Sequence, residues 1–292
     1  MEQLQFDFSS SITFIDLFAG IGGFHLGMND VGCKCVFASE IDKNARKTYE
    51  ENFQRKEPKM FSTGNFAADI TAVKISDIPD HDILCGGFPC QPFSNAGHRK
   101  GFDDERRGNL FFNVAEIIRV KGPKAFFLEN VRGLLTNDNG QTIKTIEKML
   151  KDELGYSLSY KVIKGTEFGV PQLRPRVYLV GFRDKNIKFN FPESQPLTMN
   201  MSDIFGGKCS RDTGYTLRCG GGNSKIGDKH NWDNYIVDGK VRRLGIPEAK
   251  KMQGLPETFS FPVSNSQARK QLGNSVVVPV IKAIGREIVK HL

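Results

Sequence analysis

The chain has no C-x-x-C pair among its six cysteines, Cys33, Cys35, Cys85, Cys90, Cys209 and Cys219, and so lacks the ligand spacing of a zinc site. It also lacks the positive region and apolar stretch of a secretory signal, and no apolar run approaches the roughly 18 residues of a membrane helix. The expectation is a reduced, soluble, cytoplasmic protein, in which thiolate chemistry meets no competing disulfide framework. Internal repeats and low-complexity tracts are missing as well. What remains is 292 residues, enough for one large domain, or a domain and a smaller lobe, around a sizeable core. Charge is in excess on one side: 41 Lys+Arg against 33 Asp+Glu leave a net +8. That balance permits a polyanionic partner, nucleic acid first and anionic membrane second, without selecting one.

Up to about residue 183, short apolar runs alternate with helical stretches. Strands are expected at 12–18, 34–38, 82–85, 125–128 and 177–180, and helices at 23–31, 42–53, near 109–120 and at 140–152. Such alternation predicts an α/β fold with a parallel sheet covered on both faces. The pattern breaks after Arg183: the next stretch, to about Val241, is rich in Gly, Asn, Asp, Lys and Ser. It is too long for an ordinary loop and reads as a small lobe of strands and turns. Helical spacing returns at 247–252 and again at 276–291.

Gly86-Gly87-Phe88-Pro89-Cys90-Gln91 ends the apolar run Asp82–Cys85. Ligands of open α/β sheets gather where strands end, and proline fixes the backbone entering Cys90. That placement suits a nucleophile, although a structural cysteine on a turn would read the same way. Asp16-Leu17-Phe18-Ala19-Gly20-Ile21-Gly22-Gly23-Phe24 joins the first strand to the first helix, and Glu40 ends the second strand about twenty residues later. Together they signal a nucleotide cofactor and do not separate NAD from S-adenosylmethionine. Asp69-Ile70 falls where a third strand would end. Glu129, after Phe126-Phe127-Leu128, would open into the same crevice as Cys90, where apolar surroundings raise a carboxyl pKa; an ion-paired surface glutamate is the alternative. In Gln172-Leu173-Arg174-Pro175-Arg176, two arginines two apart on an extended segment point to one side and can reach one ligand, or form a solvated pair. Gly273-Asn274-Ser275 precedes the last helix, where Asn or Ser is also a routine cap.

Taken in order, these motifs resemble the DNA cytosine-5 methyltransferase family of bacterial restriction–modification systems, across nearly the whole chain. The resemblance implies a Rossmann-like, S-adenosylmethionine-dependent methyltransferase sheet (1–183 plus 265–292). A small, mostly irregular or β target-recognition domain would occupy 184–264. It implies Cys90 as nucleophile, Glu129 at cytosine N3, and Arg176 with Arg174 at the flipped base or its phosphate. S-adenosylmethionine would lie against Phe18, Gly20, Ile21, Gly22 and Gly23, with Glu40 at the ribose, Asp69 at the adenine amino group, and Ile70, Pro89, Asn274 and Ser275 near the rest. Ile41 would pack on adenine, where several relatives carry an aromatic residue. Gln91 and Ser94 would meet DNA, and so would Thr216, Arg218, Lys225 and Lys229 of a glycine-rich, basic recognition segment; Trp232 reads as core of that lobe. No metal is implied. The expected partners are double-stranded DNA and a cognate restriction endonuclease of the same site, and the expected state is a monomer. Gly245-Ile246-Pro247-Glu248 lacks the arginine that relatives usually carry before the glutamate. A tRNA-modifying branch of the family uses the same centre and is the rival reading.

Overall fold

The computed structural model describes residues 11–89 and 110–292. Five parallel strands carry the first half of the chain: β1 (Thr13–Leu17), β2 (Lys34–Ser39), β3 (Phe66–Ala67), β4 (Ile83–Gly87) and β5 (Ala125–Val131). β6 (Ser159–Ile163) and β7 (Arg176–Phe182) complete a seven-stranded sheet of order β3-β2-β1-β4-β5-β7-β6, in which β7 runs against both its neighbours. The order reverses between β1 and β4, so the crevice at the carboxyl ends of these two strands is where a ligand is expected. Because β7 is antiparallel, its first residue lies at that same edge: Arg176 is in register with Val131, the last residue of β5.

Successive strand residues face opposite layers. Phe14, Ala125 and Phe127 pack with α1 (Gly23–Asn29) and the C-terminal helix, while Ile15, Leu17, Phe126 and Leu128 pack with the helix Leu110–Lys121. Asp42 caps α2 (Lys43–Phe53), its side chain accepting from the amides of Asn44 and Ala45. The first of these apolar layers continues into the 184–264 stretch through Leu217, Trp232, Tyr235, Leu244 and Met252. There the chain forms one antiparallel hairpin, β8 (Asn234–Val237) with β9 (Lys240–Arg243), and also two short helices, Met201–Phe205 and Ile246–Gln253. The terminal helix expected at 276–291 is Val278–Val289, and a helix not expected from the sequence, Asn265–Asn274, precedes it across the turn at Ser275.

Candidate active site

The turn leaving β1 needs left-handed backbone at Phe18 and Gly20, both at φ +55°. It presents the Gly20 amide to Glu40, whose Oε2 accepts it at 2.8 Å while Oε1 accepts the Asp42 amide at 2.7 Å. Burial raises the Glu40 carboxyl, and these two amides pull it back down. Glu40 is thereby fixed at the wall of a cavity of about 450 Å³. Phe18, Gly20, Ile21, Asp69, Ile70 and Asn274 line the same space, and so does Pro89. Ile41 stands on this wall 70% exposed, an apolar surface of the kind that a flat ring would cover. Asp69 uses one oxygen, Oδ1, for the Thr71 amide (2.9 Å) and hydroxyl (2.8 Å), leaving Oδ2 available.

Gly22, Gly23 and Ser275, expected at the cofactor, are not among the residues that line this cavity. A Cβ on Gly23 would lie 2.5 Å from Val276 Cγ2, and one on Gly22 would strike the Phe53 ring. Both glycines therefore serve helix packing behind the cavity, where Ser275 is also buried with its Oγ unpartnered.

At the other end of the cavity Glu129 stands opposite Gly87 in register. A Cβ on Gly87 would come within 3.4 Å of Glu129 Oε2, so glycine leaves the carboxylate room. Arg176 Nε meets Glu129 Oε1 at 3.0 Å. Burial holds the Glu129 carboxyl above its ordinary range, against the pull of Arg176 and then Arg174. Asn130 performs a task the sequence did not disclose: its Nδ2 donates to the Phe88 carbonyl (2.8 Å) and its Oδ1 accepts the Val131 amide (2.8 Å). It thus ties the end of β5 to the chain entering Pro89. Cys90 is the next residue; with Gln91 and Ser94 it lies outside the described residues.

The arginine pair does not converge on one partner. Arg174 has φ +21°, so the side-to-side alternation of an extended segment fails there. Its guanidinium donates instead to the carbonyls of Leu217 (3.1 Å), Gly273 (3.0 Å) and Ser275. Burial and the neighbouring Arg176 push its pKa down to about 9, and it remains charged at neutral pH. Of the two arginines, Arg176 is the one that pairs with the Glu129 carboxylate.

Among the expected DNA contacts, Thr216, Arg218 and Lys229 line a second cavity of about 420 Å³ with Lys164, Tyr215 and Trp232. Lys225 is exposed and does not line it. Trp232 is 5% exposed and packed in the apolar layer, as the sequence suggested. The glycine-rich segment is held from behind: buried Asp233 accepts the Asn223 amide (2.8 Å) and pairs with Arg243 (2.7 Å).

A seven-stranded sheet with a reversed penultimate strand and a cavity at its switch point defines the S-adenosylmethionine-dependent methyltransferase architecture. The S. pombe Dnmt2 methyltransferase shares it, with a TM-score of 0.73 at 19% identity, over 96% of this chain and 99% of that one. The sequence model for C-5 cytosine-specific DNA methylase matches residues 12–219 and 210–290, and the chain belongs to that family: it is a DNA cytosine-5 methyltransferase. It is 44% identical to the Type II methyltransferase M.HaeII of Haemophilus aegyptius, over 95% of this chain and 93% of that protein. It is also 44% identical to the Type II methyltransferase M.NgoBI of Neisseria gonorrhoeae, over 92% and 90% respectively.

Proposed function

We propose that the protein methylates C5 of a cytosine flipped out of a short, specific duplex DNA sequence, through a covalent bond to Cys90. The observation that carries this reading is the pair of buried Glu129 and half-buried Arg176, set beside Pro89 in the cavity that also holds Glu40. The cavity suits S-adenosylmethionine: Glu40 is already fixed by two amides and keeps lone pairs for ribose hydroxyls, Asp69 has a free oxygen for an amino group, and exposed Ile41 offers an apolar face. When bound, S-adenosylmethionine supplies an electrophilic methyl group.

Cytosine C5 is a poor nucleophile until a thiolate adds to C6, which divides one hard step into easier ones. Cys90 supplies that thiolate. As the C6–S bond forms, charge develops on the ring, and Glu129, whose carboxyl burial holds above its ordinary range, holds a proton at N3. Arg176 orients the carboxyl through its 3.0 Å contact. C5 then has the electron density to take the methyl group. Loss of the C5 proton to a base, with departure of the thiolate, restores the aromatic ring and the free enzyme. The target carbon lies inside the duplex, so the base leaves the stack first. Residues 1–183 with 265–292 carry this chemistry, and 184–264 read the duplex.

Duplex DNA is favoured over tRNA by the two Type II relatives, which match along nine-tenths of their length; the likeness to Dnmt2 carries the fold alone. A monomer working in the cytoplasm beside an endonuclease of the same specificity follows from that reading. The test is to map 5-methylcytosine at base resolution in bacterial DNA and in tRNA after incubation with the protein and S-adenosylmethionine. One short methylated sequence in DNA alone is expected, and modification of tRNA alone would reverse the assignment. Placing 5-fluorocytosine at the mapped position blocks proton loss at C5, so a denaturation-stable adduct is expected that Cys90→Ala does not form.

A further inference from the structure

Arg174 is 2% exposed, yet among the described residues none of its hydrogen bonds goes to a carboxylate. Its donors span two separate parts of the chain: Leu217 in the recognition segment, and Gly273 and Ser275 at the cofactor wall. Leu217 is held twice, because its amide also donates to Gln172 Oε1 at 3.1 Å. Gln172 Nε2 passes the connection on to Gln253 Oε1 (2.9 Å), and Gln253 Nε2 donates to the Leu272 carbonyl (2.7 Å). Gly273 closes the circuit by contact. A Cβ there would overlap the backbone of Arg218 and Cys219, so the two segments touch main chain to main chain. On its other side, Gly273 with Asn274 lines the cofactor cavity.

A guanidinium is a rigid planar fork. It satisfies these carbonyls only in one relative placement of residue 217 and residues 273–275. Holding a buried cation on carbonyls alone is costly, and a non-glycine residue at positive φ persists only where its surroundings impose it. We propose that Arg174 is a positioning residue that couples the two binding events: order imposed on 216–218 by duplex DNA tightens the cofactor wall, and filling the cavity pre-orders the recognition segment. Linkage makes the two effects equal. The inference rests on the reading that 216–229 meets DNA and that the cavity takes S-adenosylmethionine.

The probes are S-adenosylhomocysteine and a duplex carrying the mapped methylation site, titrated separately and together against wild type and Arg174→Lys. In wild type, saturating S-adenosylhomocysteine should tighten the duplex about tenfold, within the usual range of coupling between sites. In Arg174→Lys that factor should fall to about one, while affinity for S-adenosylhomocysteine alone changes by less than about threefold. A coupling factor that survives in Arg174→Lys overturns the inference. Failure of wild type to bind either probe alone overturns the site reading beneath it, which is a different result. Wild-type hydrogen exchange provides a measurement independent of any variant: S-adenosylhomocysteine without DNA should slow amide exchange in the peptide 217–223. Unchanged exchange there, with the cavity saturated, rejects the coupling.

Discussion

The edge of the central sheet and the 184–264 stretch hold their functional residues by different means. At the sheet edge, ladder bonds place the backbone, and Glu40, Glu129 and Arg176 line the cavity. In the 184–264 stretch only one hairpin forms a ladder. Position there depends on side chains bonding backbone: Asn231 to the Asn234 carbonyl (2.9 Å), Tyr235 accepting the Tyr215 amide (2.9 Å), and Asp233 accepting the Asn223 amide (2.8 Å). A substitution at the sheet edge should therefore remove function and spare the fold. One in the lobe should release a segment.

The largest effect tests the first half of that contrast. Glu129→Gln keeps the shape of the side chain and a hydrogen bond to Arg176 but removes the acid. Methyl transfer should fall by about 10²–10⁴, with S-adenosylhomocysteine affinity unchanged, as read by radiolabel transfer and calorimetry. Near-normal turnover would remove Glu129 from the chemistry.

Asp233→Ala tests the second half. The carboxylate is fully buried, and it holds both the Asn223 amide and Arg243, whose own side chain is 45% exposed. Losing a charge-assisted bond and an amide partner should cost about 3 kcal/mol in urea denaturation, the half-exposed arginine re-solvating in part. Discrimination between the methylated site and other sequences should collapse, while cofactor affinity holds. Preserved discrimination would mean that the 220–223 segment needs no anchor.

A third effect belongs to the sheet half. His25 on α1 is fully buried, its Nδ1 2.6 Å from the Tyr49 hydroxyl, and burial lowers its pKa from 6.5 to about 3. The unfolded chain then binds a proton that the folded chain refuses. Stability is complete above pH 6.5 and is lost as pH falls toward 3. Between pH 7 and pH 5 the loss should be about 2 kcal/mol. His25→Phe should flatten that slope whatever it does to stability at pH 7; an unchanged slope would place the acid sensitivity elsewhere.

How much of this was legible in the sequence follows the same division. β1, β2, β4, β5 and β7 were readable because each is an apolar run ended by turn residues. β6 was not: it lies at the edge of the sheet, with Tyr160 and Lys161 exposed, and so has no continuous apolar run. The helix Asn265–Asn274 was hidden because its buried face includes Gln271, which bonds Thr48 (2.9 Å), in place of an apolar stripe. The positions of Glu40 and Glu129 on the cavity wall were legible from their places at strand ends. The separate tasks of Arg174 and Arg176 were not, since alternation assumes an extended backbone and Arg174 departs from it. The packing of Gly22 and Gly23 against Phe53 and Val276 was not legible, because a close approach to protein leaves the same trace in sequence as a close approach to a cofactor.

The smallest effect separates holding from reading inside the lobe. Lys229 is exposed on the second cavity and, among the described residues, carries no bond that shapes the segment, unlike Asp233. If it meets a phosphate, Lys229→Ala should weaken all duplexes alike and lower the slope of log affinity against log salt by about one. Selectivity for the methylated site should stay as in wild type, because phosphates position a protein and carry no sequence. Lost selectivity with an unchanged slope would make Lys229 a base contact instead. Either way, the contrast with Asp233→Ala identifies which residues of the lobe touch DNA and which only hold the segment that does.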